Sequence, residues 1–248
     1  MDIVIPVKEA LINEELRYTL RSICRNFPHD KVWIVGYLPP WLNGDVGHIP
    51  GNNAVGSKYE KVLSNHLITN KHPLISEDYY LFNDDFFVLR PVHIFKNYYR
   101  CTIDESIARL LQHTNGVESS YLRSLVKTKE ILQAMGIKEP LDFGLHLPMQ
   151  INKKQWFQAY RSQQRYNLTN SIVHMRTIYG NLFLKSGGLG KMNDVKITTL
   201  DQEPDPEWYY CSTVDSSFIS GAVGKYVQAR FQEMCKCEGA IRNTFLTG

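Results

Sequence analysis

Asp2-Ile3-Val4-Ile5-Pro6-Val7 is the stretch that sets the fold class. It is apolar and β-branched with no polar alternation, the pattern of a strand buried on both faces of an α/β sheet. Downstream of it, Asn13 is a predicted N-cap, and Glu14 and Glu15 sit in the first turn, where negative charge complements the helix dipole. Leu16, Leu20 and Ile23 follow at helical spacing until Pro28 ends the segment. Residues 31–36 (K-V-W-I-V-G) repeat the buried-strand pattern. Strand, helix and strand over this length make a βαβ unit, so the two strands are expected to lie side by side and parallel.

Pro39, Pro40, Gly44, Gly47, Pro50 and Gly51 then mark a loop. Residues 57–70 are predicted helical and residues 78–82 (D-Y-Y-L-F) form another strand, followed at once by Asn83-Asp84-Asp85. Residues 86–89 are apolar again, up to Pro91. The second half is more helical: residues 118–135 carry an amphipathic pattern stopped by Gly136, and residues 216–237 read as one closing helix. The expected organisation is an α/β core over residues 1–100, with a helical region, 101–248, completing the same domain.

With 248 residues, 43% hydrophobic and 21% charged, the chain has material for a full core without a disulfide framework. The formal charge of +3 suits an anionic substrate and does not by itself indicate nucleic acid. The five cysteines are an odd set, and Cys235-x-Cys237 lacks a second ligand pair, so free thiols in a reducing compartment are expected. No run approaches the ~20 apolar residues of a membrane span, and no leader pattern opens the chain, so a soluble cytoplasmic protein is expected.

The acidic turn carries the chemistry. In open α/β sheets ligands bind outside the carboxyl ends of the strands. Two carboxylates there, with an Asn carbonyl beside them, offer hard oxygen ligands to Mg²⁺ or Mn²⁺. Such an ion neutralises a diphosphate and stabilises charge on a leaving oxygen. A solvated polar turn is the plainer alternative, and the apolar segments on both sides argue against it.

Asn13-Glu14-Glu15-Leu16-Arg17-Tyr18-Thr19-Leu20-Arg21-Ser22-Ile23 resembles the N-E-E-L-R-Y-S-L-R-S-I signature of the Stealth family, sugar-1-phosphate transferases of capsule synthesis and lysosomal-enzyme tagging. Residues 32–35 and Pro40-Trp41-Leu42 continue that block, and Asn83-Asp84-Asp85-Phe86-Phe87 is similar to its N-D-D-x-F segment. His146-Leu147-Pro148 resembles the family's H-x-P, Arg176 stands at the spacing of a catalytic arginine, and Asp215 lies near the last block. The opening Ile5-Pro6-Val7 departs from the family and is similar to the start of ordinary GT-A glycosyltransferases. The compact form is similar to bacteriophage-borne members, which would place the protein in the host cytoplasm. The resemblance implies an α/β, GT-A-like (Rossmann-like) mixed sheet with a helical C-terminal half. It also implies a metal-dependent transferase using a nucleotide-diphosphate sugar.

On that footing Asp84, Asp85 and Asp215 would hold the metal. Pro6, Val7, Arg17, Arg21, Asn83 and Asp84 would bind the nucleotide sugar, with Arg17 and Arg21 alternatively a solvated basic stripe. Asp85, His146, Arg176 and Glu60 would be catalytic: His146 or Glu60 activating the acceptor hydroxyl, Arg176 clamping the diphosphate. No acid occurs between Asp142 and Asp194, and Lys153, Lys154, Trp156, Arg161 and Arg165 would contact the acceptor. That acceptor is a glycan or, alternatively, a hydroxymethylated base in phage DNA. An amphipathic helix with core aromatics competes with this reading of the acid-free stretch, and an inactive binding module of the same fold competes with the enzyme.

Overall fold

The structure is a computed structural model that describes residues 1–10, 13–42, 45–51, 58–168, 171–185 and 188–239. Its elements in chain order are β1 (Asp2–Val7), α1 (Glu14–Asn26), β2 (Val32–Gly36), β3 (Val46–Pro50), α2 (Lys58–Lys71), β4 (Asp78–Leu81), β5 (Phe86–Val88), β6 (Tyr98–Tyr99), α3 (Ile103–His113), α4 (Ser120–Ala134), β7 (Met149–Asn152), α5 (Lys153–Tyr166), α6 (Met175–Phe183), β8 (Gly190–Lys191), β9 (Lys196–Ile197), β10 (Tyr210–Thr213), α7 (Asp215–Ser220) and α8 (Ala222–Arg230). The fold is mixed α/β. Two compact units make it up: Met1–Phe95 with His146–Gln150 and Val195–Gly248, and Lys96–Leu145 with Ile151–Asp194. The chain thus returns to the first unit after residue 194, rather than dividing once near residue 100. The cause is β10, whose ladder is formed with β5.

The first unit holds a five-stranded sheet in the order β3-β2-β1-β4-β7. β1 runs parallel to β2 and to β4, with Ile3 opposite Val32 and Tyr80, as the βαβ pattern requires. Ile3, Val4, Ile5, Ile34 and Val35 are fully buried, each worth about 1.5–3 kcal/mol of apolar burial. β3, expected as loop, is a parallel edge strand beside β2. Its Gly47 lies flat on Trp33, where a Cβ would come within 2.2 Å of the indole, and Pro50 closes it at the sheet edge, where a missing N–H is tolerated.

Asn13 precedes α1 in the left-handed region (φ 50°), and its side chain does not cap the helix; its amide donates to the Lys8 carbonyl instead. A second sheet, β5-β10-β9, pairs β10 antiparallel to β5 and parallel to β9. The closing helix expected over 216–237 is broken at Gly221 into α7 and α8, which fold Phe218, Val223 and Val227 onto Phe87 and Ile197. Gly224 permits that fold, since a Cβ there would stand 1.7 Å from the Phe218 carbonyl oxygen.

In the second unit, Thr102 and Glu105 form a capping box on α3, and the Ser119 hydroxyl accepts from Leu122 N–H at the start of α4. Gly136, at φ 89°, follows the end of α4 as the sequence suggests. Asp142 is fully buried, accepting from Ser106 Oγ at 2.6 Å and Gly144 N–H at 2.8 Å, with Arg100 at 3.6 Å. Among the described residues, no helix is long and apolar enough to cross a membrane.

Candidate active site

Asn83-Asp84-Asp85 leaves the carboxyl end of β4 and enters β5. Three neighbouring segments hold it. From α1, the buried Thr19 hydroxyl donates to the Asp84 carbonyl at 2.8 Å. From β9 and β10, Lys196 Nζ (3.1 Å) and Ser212 Oγ (2.9 Å) both donate to Asp85 Oδ2. Lys196 and Ser212 are register partners in the β9–β10 ladder, which places them together. The other oxygen, Asp85 Oδ1, is buried and has no hydrogen-bond partner among the described residues. A buried carboxylate oxygen left in that state is costly, so the site is poised to accept a donor or cation.

Glu15 completes the arrangement. Its carboxylate accepts from Thr213 Oγ1 at 2.5 Å. Burial, reinforced by the nearby charges of Asp85, Asp215 and Asp84, pushes its pKa from 4.5 up to about 7, against the opposing effect of the Thr213 bond. Three carboxylates thus lie close enough to act on Glu15, with one ammonium, Lys196, on Asp85. The side chains of α1 explain the geometry: Glu15, Thr19, Ser22 and Asn26 form a polar stripe at helical spacing. Ser22 Oγ accepts from Val88 N–H at 3.0 Å and Asn26 donates to the Val88 carbonyl at 2.7 Å, so the far half of the stripe is bonded to β5.

Several expected residues fall at this site. Asp84, Asp85 and Asp215 converge through their effect on Glu15. His146 packs edge-on to Phe86, the residue after Asp85, with ring centroids 6.4 Å apart. Pro6 and the buried Val7 end β1 on the same sheet, and Val7 O accepts from Tyr37 N–H. Others lie elsewhere. Arg17 and Arg21 are engaged by the fully buried Glu238 carboxylate, at 2.8 and 2.6 Å, and Arg17 stacks on Trp41, so both guanidiniums are tied to the segment after α8. Glu60 stands exposed in the first turn of α2. Arg176 is half-buried in the first turn of α6 and belongs to the second unit.

The proposed acceptor surface is corrected in part. Trp156 is fully buried against Tyr179, and Lys153 is buried too, because the apolar face of α5 turns into the core of the second unit. Lys154, Arg161 and Arg165 remain on the exposed face, where with Phe157, Gln158 and Ser162 they line a shallow depression of about 470 Å³. Sequence reasoning missed Glu15 as a site residue, along with Thr19, Lys196, Ser212 and Thr213. The buried polar stripe on α1 was a legible signal for the first two. Nothing local links Lys196 to a carboxylate 111 positions away.

The donor set suits a hard divalent cation. Mg²⁺ and Mn²⁺ commonly take one or two carboxylates and leave the remaining positions to water and substrate phosphates. Asp85 Oδ1 and the carboxylate excess around it match that requirement.

No protein-family model and no curated protein matches the chain. Among solved structures it is similar to the apo glycosyltransferase GlyE of Streptococcus pneumoniae TIGR4, at 15% identity over 77% of this chain and 44% of that one (TM-score 0.37). It is also similar to the galactosyltransferase LgtC with donor and acceptor sugar analogues, at 15% identity over 80% and 76% (TM-score 0.43). A third is mouse xyloside xylosyltransferase 1, at 8% identity over 97% and 96% (TM-score 0.39). The chain spans less than half of the length of GlyE.

Proposed function

We propose that the protein is a divalent-metal-dependent transferase acting on a nucleotide-diphosphate sugar. The observation that carries this reading is the convergence of Glu15, Asp84, Asp85 and Asp215 beyond the end of β4, with an unpaired buried oxygen on Asp85. Asp84 and Asp85, with Asp215, would hold Mg²⁺ or Mn²⁺. The ion, when bound, supplies charge neutralisation for a diphosphate and its leaving oxygen. Lys196 Nζ is the resident cation positioned to meet a phosphate oxygen once the carboxylate charge is shared. Glu15, whose carboxyl is raised by burial and by the neighbouring carboxylates, stands beside that charge. His146, next to Phe86, takes the proton from the acceptor hydroxyl, with Glu60 as the other base. For Arg176 the clamping role rests on the resemblance alone.

The acceptor hydroxyl of a glycan attacks the β-phosphorus or the anomeric carbon. Incubation with a panel of nucleotide sugars, Mn²⁺ and glycan acceptors separates the two: a released nucleoside monophosphate means sugar-phosphate transfer, a diphosphate means glycosyl transfer. D85N should lower turnover by at least about a hundredfold, a loss typical of removing a charged group that acts at the transition state. Wild-type turnover in D85N refutes the site. The exposed Lys154, Arg161 and Arg165 favour a polyanion as the second reading, hydroxymethylated DNA. Salt-sensitive duplex binding lost in the triple alanine variant would support it.

A further inference from the structure

The face of α1 that carries Arg17 and Arg21 continues, at helical spacing, to Cys24. Folding brings this thiol to the segment after α8, where Cys235 and Cys237 sit in a short turn. The three sulfurs all lie within 4.8 Å of one another, the only such trio of metal-ligating side chains among the described residues. Cys24 Sγ and Cys237 Sγ are 3.9 Å apart. Two sulfurs bound at about 2.3 Å to one tetrahedral zinc stand about 3.8 Å apart, whereas a disulfide draws them to about 2.05 Å. The 3.9 Å separation of Cys24 and Cys237 matches that of two ligands on a shared ion. The sequence showed only Cys235-x-Cys237, which lacks a second pair; the missing ligand comes from α1, 213 positions from Cys237.

Glu238 locks the turn, accepting from Cys235 N–H at 3.1 Å while its own N–H donates to the Cys235 carbonyl at 3.0 Å. Lys236 and Arg21 are close enough for their charges to act on Cys24 and Cys235 respectively. They offset the net negative charge that three thiolates leave on a divalent ion. His29 lies five residues beyond Cys24 and is not one of the clustered ligand groups. Its Nδ1–H donates to the Phe27 carbonyl at 2.8 Å, leaving a buried Nε2 with no partner among the described residues.

We propose that Cys24, Cys235 and Cys237 form a structural site for a soft divalent metal, zinc, that fastens the segment after α8 to α1. A non-sulfur ligand fills the fourth position. Thiolate sulfur selects zinc over the magnesium or manganese suited to the carboxylate site. Binding exchanges water on the hydrated ion for three sulfurs, releases the protons of those thiols still protonated, and involves no oxidation. The site clamps one face of α1 while Glu15 and Thr19 work from another.

The test uses the full chain, reduced and stripped with chelator. One equivalent of Co²⁺ should produce a sulfur-to-cobalt charge-transfer band, abolished by one equivalent of Zn²⁺, and Zn²⁺ should raise the melting temperature by several degrees. C24S, C235S and C237S should each lose or weaken the band, while C101S and D85N keep it. Alkylation mapped by peptide mass keeps the test valid if a serine variant misfolds. In the wild type, zinc should protect Cys24, Cys235 and Cys237 and leave Cys101 reactive. No thiolate band at one equivalent, an undiminished band in all three serine variants, or no protection by zinc overturns the proposal.

Discussion

Replacing Glu15 with glutamine should stabilise the metal-free protein at alkaline pH and leave it nearly unchanged in acid. The carboxyl of Glu15 is raised from 4.5 to about 7 by burial and by the charges of Asp85, Asp215 and Asp84. A folded-state pKa above the unfolded one means that the protonated side chain favours folding. That contribution is complete below pH 4.5 and disappears as the pH rises through about 7. At ~1.36 kcal/mol per pH unit the full displacement is worth roughly 3 kcal/mol, and partial exposure of the side chain reduces it to about 2 kcal/mol. Glutamine keeps the oxygen that accepts from Thr213 Oγ1 and never ionises, so E15Q lacks the alkaline penalty. Urea unfolding in chelator, followed by tryptophan fluorescence, measures this. The E15Q advantage should be about 2 kcal/mol larger near pH 8.5 than near pH 4. An equal difference at both pH values would refute the carboxylate coupling at the turn.

Glu238→Gln removes the charge facing Arg17 and Arg21 and should cost about 3 kcal/mol in urea unfolding, since breaking a buried pair strands its partners. Trp156→Ala should cost about 3–5 kcal/mol, the loss expected of a core tryptophan, in the same assay. Lys154→Ala, on the exposed face of the same helix, should change stability by less than about 0.5 kcal/mol. Gly224→Ala should lower the melting temperature, with an overpacking cost of at least about 1–3 kcal/mol, because its Cβ meets backbone at Phe218.

Periodicity exposed the parts of the fold where one physical rule dominates. β1, α1 and β2 follow from a buried apolar run, a helical spacing and a second run, and the turn after β4 follows from carboxylates placed at a strand end. β3 escaped because Gly47 and Pro50 signal a loop, whereas here they fit an edge strand laid on Trp33. The closing helix was too long because its inward apolar spacing continues through Gly221, where the helix breaks. Trp156 and Lys153 looked like a binding surface because composition does not say which way a helix faces. Lys196 and Ser212 were invisible for a different reason. Their meeting at Asp85 is a product of strand register, which no local pattern encodes.

That register has a consequence for β9, which has only two residues and so little ladder of its own to fix its position. Side chains alternate faces along a strand, so a slip by one residue would swing Lys196 away from Asp85. The grip of Asp85 Oδ2 on both ladder partners therefore acts as a positional pin, indexing the short strand to the turn. One oxygen of this carboxylate keeps the strand in step, and the other, Oδ1, is buried with no hydrogen bond among the described residues.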